Sequence, residues 1–253
     1  MGTGSIDAAS FTAIRLASGA VALAFIASLS SRASVPWNPI SALMLFAYAI
    51  AFSYAYLQLT AGTGALLLFG AVQLTMLGIA IAGGERPPLA EWLGLVLAVG
   101  GLVYLVLPGL HAPPWLGSVL MAAAGVAWGI YSVRGRGATN PVGVTAKNFV
   151  LAAIPALALS VLAHLGANIS NCGAILAAVS GIVTSGIGYV IWYAALPGLS
   201  GARAALVQLA VPMLAAGAGN AFLGESLTPR LLVAASLILG GIALAVSARR
   251  REA

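Results

Sequence analysis

Two stretches decide how this chain folds: residues 72–101, VQLTMLGIAIAGGERPPLAEWLGLVLAVGG, and residues 207–241, VQLAVPMLAAGAGNAFLGESLTPRLLVAASLILGG. Each passes from an apolar segment containing Val-Gln-Leu, through a turn containing Gly-Glu, into a second apolar segment that contains a double glycine. Val72-Gln73-Leu74 falls on Val207-Gln208-Leu209 at an offset of 135, which also sets Tyr54 on Tyr189. After five extra residues in the later copy, Gly84-Glu85 meets Gly224-Glu225 and Gly100-Gly101 meets Gly240-Gly241. Shared order, and not composition alone, marks an internal repeat.

Outward from these stretches the same texture continues. About 20 apolar residues are needed to cross roughly 30 Å of hydrocarbon as a helix, and nine such runs are readable: 9–29, 40–58, 63–82, 92–108, 115–133, 147–165, 172–195, 203–222 and 230–247. The runs are apolar all round and do not alternate, which excludes barrel strands. Their connections are short and carry breakers such as Pro36-Trp37-Asn38-Pro39, Pro113-Pro114 and Asn140-Pro141. Only 6% of the residues are charged against 61% hydrophobic, where a soluble domain carries about 25% charged. A water-facing surface cannot be built from so few charges, so the solvent of this chain is lipid.

Spans 40–58, 63–82 and 92–108 correspond to 172–195, 203–222 and 230–247, and by extension 9–29 pairs with 147–165; the span at 115–133 has no partner. Matched spans run in opposite senses across the membrane. The expected fold is therefore an all-α integral membrane protein with nine transmembrane helices, an inverted repeat of a five-helix unit whose first helix is missing. Residues 1–110 form the incomplete first repeat of four helices and 111–253 the second of five. Inverted repeats of this kind are typical of secondary transporters.

Lys and Arg accumulate on cytoplasmic loops. With the C-terminus inside, the inner side receives Arg32, Arg86, Arg134, Arg136, Lys147, Arg203, Arg249, Arg250 and Arg251, and the outer side only Arg15 and Arg230. Nine cations against two set the orientation and explain the net charge of +6 without a nucleic acid, for which no basic stripe with aromatics is present. The opening MGTGSID has no positive region before an apolar run and is not read as a secretory signal. Cys172 is the sole cysteine, so neither an internal disulfide nor a thiolate metal site is expected.

These features resemble the drug/metabolite transporter superfamily, in particular its EamA-type exporters. The matching residues are the paired turns Gly84-Glu85 and Gly224-Glu225, each followed by a span with a double glycine, the segment Phe11-Thr12-Ala13-Ile14-Arg15-Leu16, and Trp128-Gly129 in the unpaired span. The resemblance covers nearly the whole chain. It implies export of small metabolites, such as amino acids or derivatives, across a bacterial cytoplasmic membrane by alternating access. The family pattern has ten spans with a further Trp-Gly helix at the start; the shorter start here is read as a truncation, and that helix is expected to be needed for transport.

Polar residues within apolar spans are the candidates for substrate contact. Gln73 and Gln208 recur at equivalent repeat positions, which predicts similar depth near the pseudo-two-fold axis; each is either a substrate contact or an interhelical hydrogen bond. Pro212 frees the carbonyl of Gln208 four residues back. Tyr54, Tyr189, Trp192 and Trp128 are candidates for lining a cavity, while Tyr56, Tyr131 and Tyr193 fit interface anchors. Arg15 lies inside the first run, where a charge costs about 2.5–3.5 kcal/mol at the helix centre; snorkelling to the outer interface reduces this, and attraction of a substrate carboxylate is the functional alternative. Glu85 and Glu225 are expected to cap helices.

No carboxylate lies deep in a span, so no proton relay is legible. The Gly198-Leu199-Ser200-Gly201 segment resembles a rhomboid nucleophile turn, but no histidine follows His164 to serve as base, and no catalytic residue is expected. No cofactor and no metal are expected. The expected partners are the lipid bilayer and a small-molecule substrate, with a second copy of the chain kept as a candidate. A channel-like or non-transporting membrane subunit is the alternative reading.

Overall fold

The computed structural model describes residues 6–29, 35–84, 89–106, 112–135, 138, 140–163, 169–189, 191 and 201–248, without the side chains of 201–210 and a few others. Each apolar run is helical: α1 Ala8–Ser28, α2 Pro39–Ala55, α3 Ala61–Ala82, α4 Leu89–Val106, α5 Trp115–Arg134, α6 Pro141–Ala163, α7 Asn171–Val179, α8 Gly201–Leu223 and α9 Pro229–Ala248. No strand occurs among the described residues; one isolated bridge pairs Ile6 with Ile169. Among the same residues, α1, α5 and α6 are long and apolar enough to cross a membrane by length and composition.

Helix starts follow from the breakers in the sequence. The first amides of a helix have no intrahelical acceptor and must be satisfied locally. Asp7 Oδ1 accepts from Ser10 N (2.9 Å), Asn38 Oδ1 from Ser41 N (3.0 Å), Asn140 Oδ1 from Gly143 N (3.0 Å) and Ser170 Oγ from Gly173 N (3.0 Å). Pro39, Pro141 and Pro229 occupy the first helical positions, where a missing N–H costs nothing.

One expectation needs correction. The run at 172–195 is not one regular α-helix: α7 passes at Ser180 into a π-helical segment, Ser180–Ile187. Such segments are rare and concentrate at functional sites. This one, SGIVTSGI, carries Gly181 and Gly186, both buried.

The chain forms two compact units that interleave the two halves of the sequence. Unit 1 comprises 1–57 and 130–197; unit 2 comprises 58–129 and 198–253, so the boundary falls within α5. In unit 1, α1 packs most extensively on α6. Ser10 Oγ and Ser160 Oγ share a hydrogen bond of 3.0 Å, while a Cβ on Gly19 would come within 2.9 Å of Phe149; ascending numbers on one helix meet descending numbers on the other, so the pair is antiparallel. Alanines fill the seam: Ala9, Ala13, Ala152 and Ala156 are all buried. Small residues let backbones approach where lipid offers no hydrophobic drive between helices.

In unit 2 the most extensive pair is α4 with α9. Here the two double glycines separate in role. A Cβ on Gly101 would lie 2.8 Å from Ile238 Cγ1 and 2.9 Å from Leu237 Cβ, and one on Gly241 would overlap the Gly94 carbonyl oxygen and lie 2.9 Å from Ala98 N. Gly100 and Gly240 face open space. Helix α3 packs antiparallel on α8, where a Cβ on Gly62 would meet Ala216 Cβ at 2.8 Å, and α5 presses on α3 through Gly125 and Gly129.

Phe222 (86%), Leu162 (77%) and Leu89 (75%) are exposed, whereas Thr12, Ser53, Thr145 and Asn148 are buried. Exposed large apolar side chains in such number are unsuited to water and suited to hydrocarbon.

Candidate functional site

Arg15 lies seven residues into α1, about 10 Å along the axis at 1.5 Å per residue. Its half-buried side chain does not extend toward the end of the helix. Nε donates to Ser185 Oγ on the π-helical segment (3.2 Å), and the guanidinium stands over the Phe52 ring of α2, 5.4 Å from its centroid. Ser185 is 2% exposed. A hydrogen bond from a charged donor contributes about 1.5–3 kcal/mol and a cation–π contact about 0.5–2 kcal/mol, together enough to offset an insertion cost of about 2.5–3.5 kcal/mol. No carboxylate pairs with Arg15 among the described residues, and within that set its terminal nitrogens donate to no protein group.

The surroundings hold this geometry in register. Gly181 packs on α1 so closely that a Cβ there would overlap Ser18 Oγ and the Arg15 carbonyl oxygen. Ser18 Oγ donates to the Arg15 carbonyl (3.2 Å) and to Ala178 O (3.3 Å), joining α1 to α7. Thr12 Oγ1 donates to Ser53 Oγ (2.8 Å), joining α1 to α2 one turn from Arg15. Tyr48, Phe52 and Tyr56 form a ladder along one face of α2, with ring centroids 5.4 Å and 4.7 Å apart. Sequence reasoning singled out Arg15 but not Phe52 or Ser185, because neither an apolar Phe nor a Ser in a small-residue run stands out without its neighbours. The glycine spacing around Ser185 was the available signal.

The remaining sequence candidates distribute between the units. In unit 1, Tyr189 packs edge-on to Phe149 (5.7 Å, 82°). Tyr54 lies two residues from Phe52, hence on the opposite face of α2, and is 38% exposed. In unit 2, Gln73 is half-buried on α3, Pro212 is buried inside α8, and Trp128 is half-buried beside the Gly129 contact on α5. Trp192, the side chain of Gln208, and Glu85 lie outside the described residues. Glu225 caps a helix other than its own neighbour: both carboxylate oxygens accept from Ala61 N (3.0 and 2.9 Å) at the start of α3. Gly224, at φ +66°, turns the chain to bring it there, and Gly219 leaves room that a Cβ would take from the carboxylate. Among the described residues, the buried Asp7 Oδ2 and Asn148 Oδ1 have no hydrogen-bond partner.

A model of the EamA-like transporter family matches residues 115–247. An uncharacterised protein of Pseudomonas aeruginosa is 49% identical over 249 residues, covering 97% of this chain and 86% of the relative. An uncharacterised transporter of Archaeoglobus fulgidus is 31% identical over 65% of this chain and 60% of its own length. A protein of Streptantibioticus cattleyicolor named a probable terminal-alkyne amino-acid exporter is 28% identical over 82% of this chain and 72% of that protein. A solved crystal structure shares the fold with a TM-score of 0.68 at 22% identity, covering 98% of this chain and 91% of the other.

Proposed function

This chain belongs to the EamA-like transporter family, a multi-pass membrane protein, and from that premise we propose that it exports small metabolites, such as amino acids or derivatives, across a bacterial cytoplasmic membrane by alternating access, with its C-terminus in the cytoplasm. The observation that carries this reading is the packing of repeat-matched helices on one another. Three of the four partnerships predicted from the sequence repeat, α1 with α6, α3 with α8 and α4 with α9, lie within one unit and pack together, whereas α2 packs chiefly on α6 rather than on its predicted partner α7. Gly101 and Gly241, equivalent in the repeat, each approach the other's helix. Such reciprocity is what a pseudo-two-fold axis between inverted repeats produces, and inverted repeats underlie alternating access. It supports nine membrane spans in all.

The same symmetry supports Gln73 and Gln208 as substrate contacts. The Gly62–Ala216 and Ala61–Gly219 approaches fix the antiparallel register of α3 on α8. Counting about 1.5 Å per residue from them brings the two glutamine backbones within about one helical turn of the same level, close to where the axis crosses. Gly125 and Gly129 bring α5, with Trp128, against that level of α3.

The test is counterflow in proteoliposomes with a panel of labelled L-amino acids, using the chain with the expected N-terminal Trp-Gly helix restored. Saturable exchange accelerated by substrate on the far side supports a carrier; unsaturable flux means a channel, and no flux with any member refutes the reading. Gln73→Leu and Gln208→Leu then separate the two roles. Loss of an interhelical hydrogen bond costs about 0.6 kcal/mol of stability with affinity unchanged, whereas loss of a substrate contact weakens affinity in a folded protein.

A further inference from the structure

We propose that Arg15 is a carboxylate anchor, so that the molecules carried are those bearing a free carboxylate. This rests on the transport reading above and adds the group by which the substrate is recognised. Three observations within unit 1 carry it. The guanidinium is held by Ser185 Oγ at Nε and by the Phe52 face, which fixes its plane and leaves the edge formed by its two terminal nitrogens. That edge is a planar fork matched to the two oxygens of a carboxylate. Second, no carboxylate of the described chain neutralises the charge, although Arg15 lies well inside an apolar helix. An intramembrane cation without a protein counter-ion is a site for an anion from outside the chain.

Third, the cluster departs from the repeat. Thr12-Ala13 aligns with Thr145-Ala146, which sets Arg15 on Asn148; the offset of 135 sets Ser185 on Ile50 and the π-helical segment on a regular stretch of α2. Gly101 and Gly241 obey the symmetry and these polar residues do not. A single fixed guanidinium matches a single negative charge, as a carboxylate supplies. Ser185 and Phe52 act as positioning residues: they orient the fork.

The experiment is counterflow and thermal shift on the full chain, with the expected N-terminal helix restored, using L-amino acids each paired with its carboxyl amide. The wild type should prefer the acid over its amide, and Arg15→Gln, which keeps a donor for Ser185, should raise half-saturation for the acid about 10- to 100-fold, the worth of a charged hydrogen bond, leaving the amide unchanged. Arg15→Lys retains the charge without the fork and should fall between. Ser185→Ala should raise half-saturation for acids without changing maximal flux. The acid-to-amide ratio is independent of how much protein folds, and Arg15→Lys and Ser185→Ala keep the test decisive if Arg15→Gln is unstable. Transport of amides as readily as acids, or a ratio unchanged in all three variants, overturns the anchor while transport itself stands. Absence of counterflow with every probe overturns both.

Discussion

Replacing each glycine of the two doublets by alanine separates contact from composition. In a helix interior alanine is favoured over glycine by about 0.5–1 kcal/mol. At Gly100 and Gly240 an added Cβ meets nothing within 4 Å, so Gly100→Ala and Gly240→Ala should stabilise by up to that amount. At Gly101 the Cβ would be 2.8 Å from Ile238 Cγ1 and 2.9 Å from Leu237 Cβ. Ile238 can rotate but Leu237 Cβ moves only with its backbone, so overpacking of about 1–3 kcal/mol exceeds the propensity gain. The net loss for Gly101→Ala is about 1 kcal/mol. Gly241 is worse, because its Cβ would overlap the Gly94 carbonyl oxygen and crowd Ala98 N, both backbone atoms. Only separation of α4 from α9 relieves that contact, and about 2 kcal/mol is expected for Gly241→Ala. Equilibrium unfolding of the four variants in one detergent should give the order Gly240→Ala and Gly100→Ala above wild type, then Gly101→Ala, then Gly241→Ala. Equal effects within either doublet would refute the packing of α4 on α9 described above.

Glu225→Gln removes the charge from the cap on Ala61 N and should cost about 1 kcal/mol, within the range of helix N-cap losses; amide exchange at the start of α3 should accelerate, and unchanged protection there would remove Glu225 from that role. The orientation predicts that, in a Cys172→Ser background in intact cells, an impermeant thiol reagent labels Thr3→Cys and not Arg250→Cys. The reverse pattern would overturn the topology.

Hydropathy and short-range pattern were enough to read a chain of helical runs suited to lipid, because both depend on residues near one another in sequence; the repeat was read from matched order at an offset of 135. The breakers Asn38-Pro39 and Asn140-Pro141 were legible for the same reason. Tertiary structure alone decided which glycine of each doublet carries a crossing, since Gly100 and Gly101 read alike until a partner helix lies against one of them. It alone decided that Glu225 serves a helix more than 160 residues earlier. The π-helical turn at Ser180–Ile187 and the aim of Arg15 belong with these. A run of small residues is as apolar in α as in π geometry, and an arginine in an apolar helix has two outlets, the interface or a partner. What selects the partner is the close approach of Gly181 to α1, a contact between segments that lie far apart in the chain and meet only when the unit is packed.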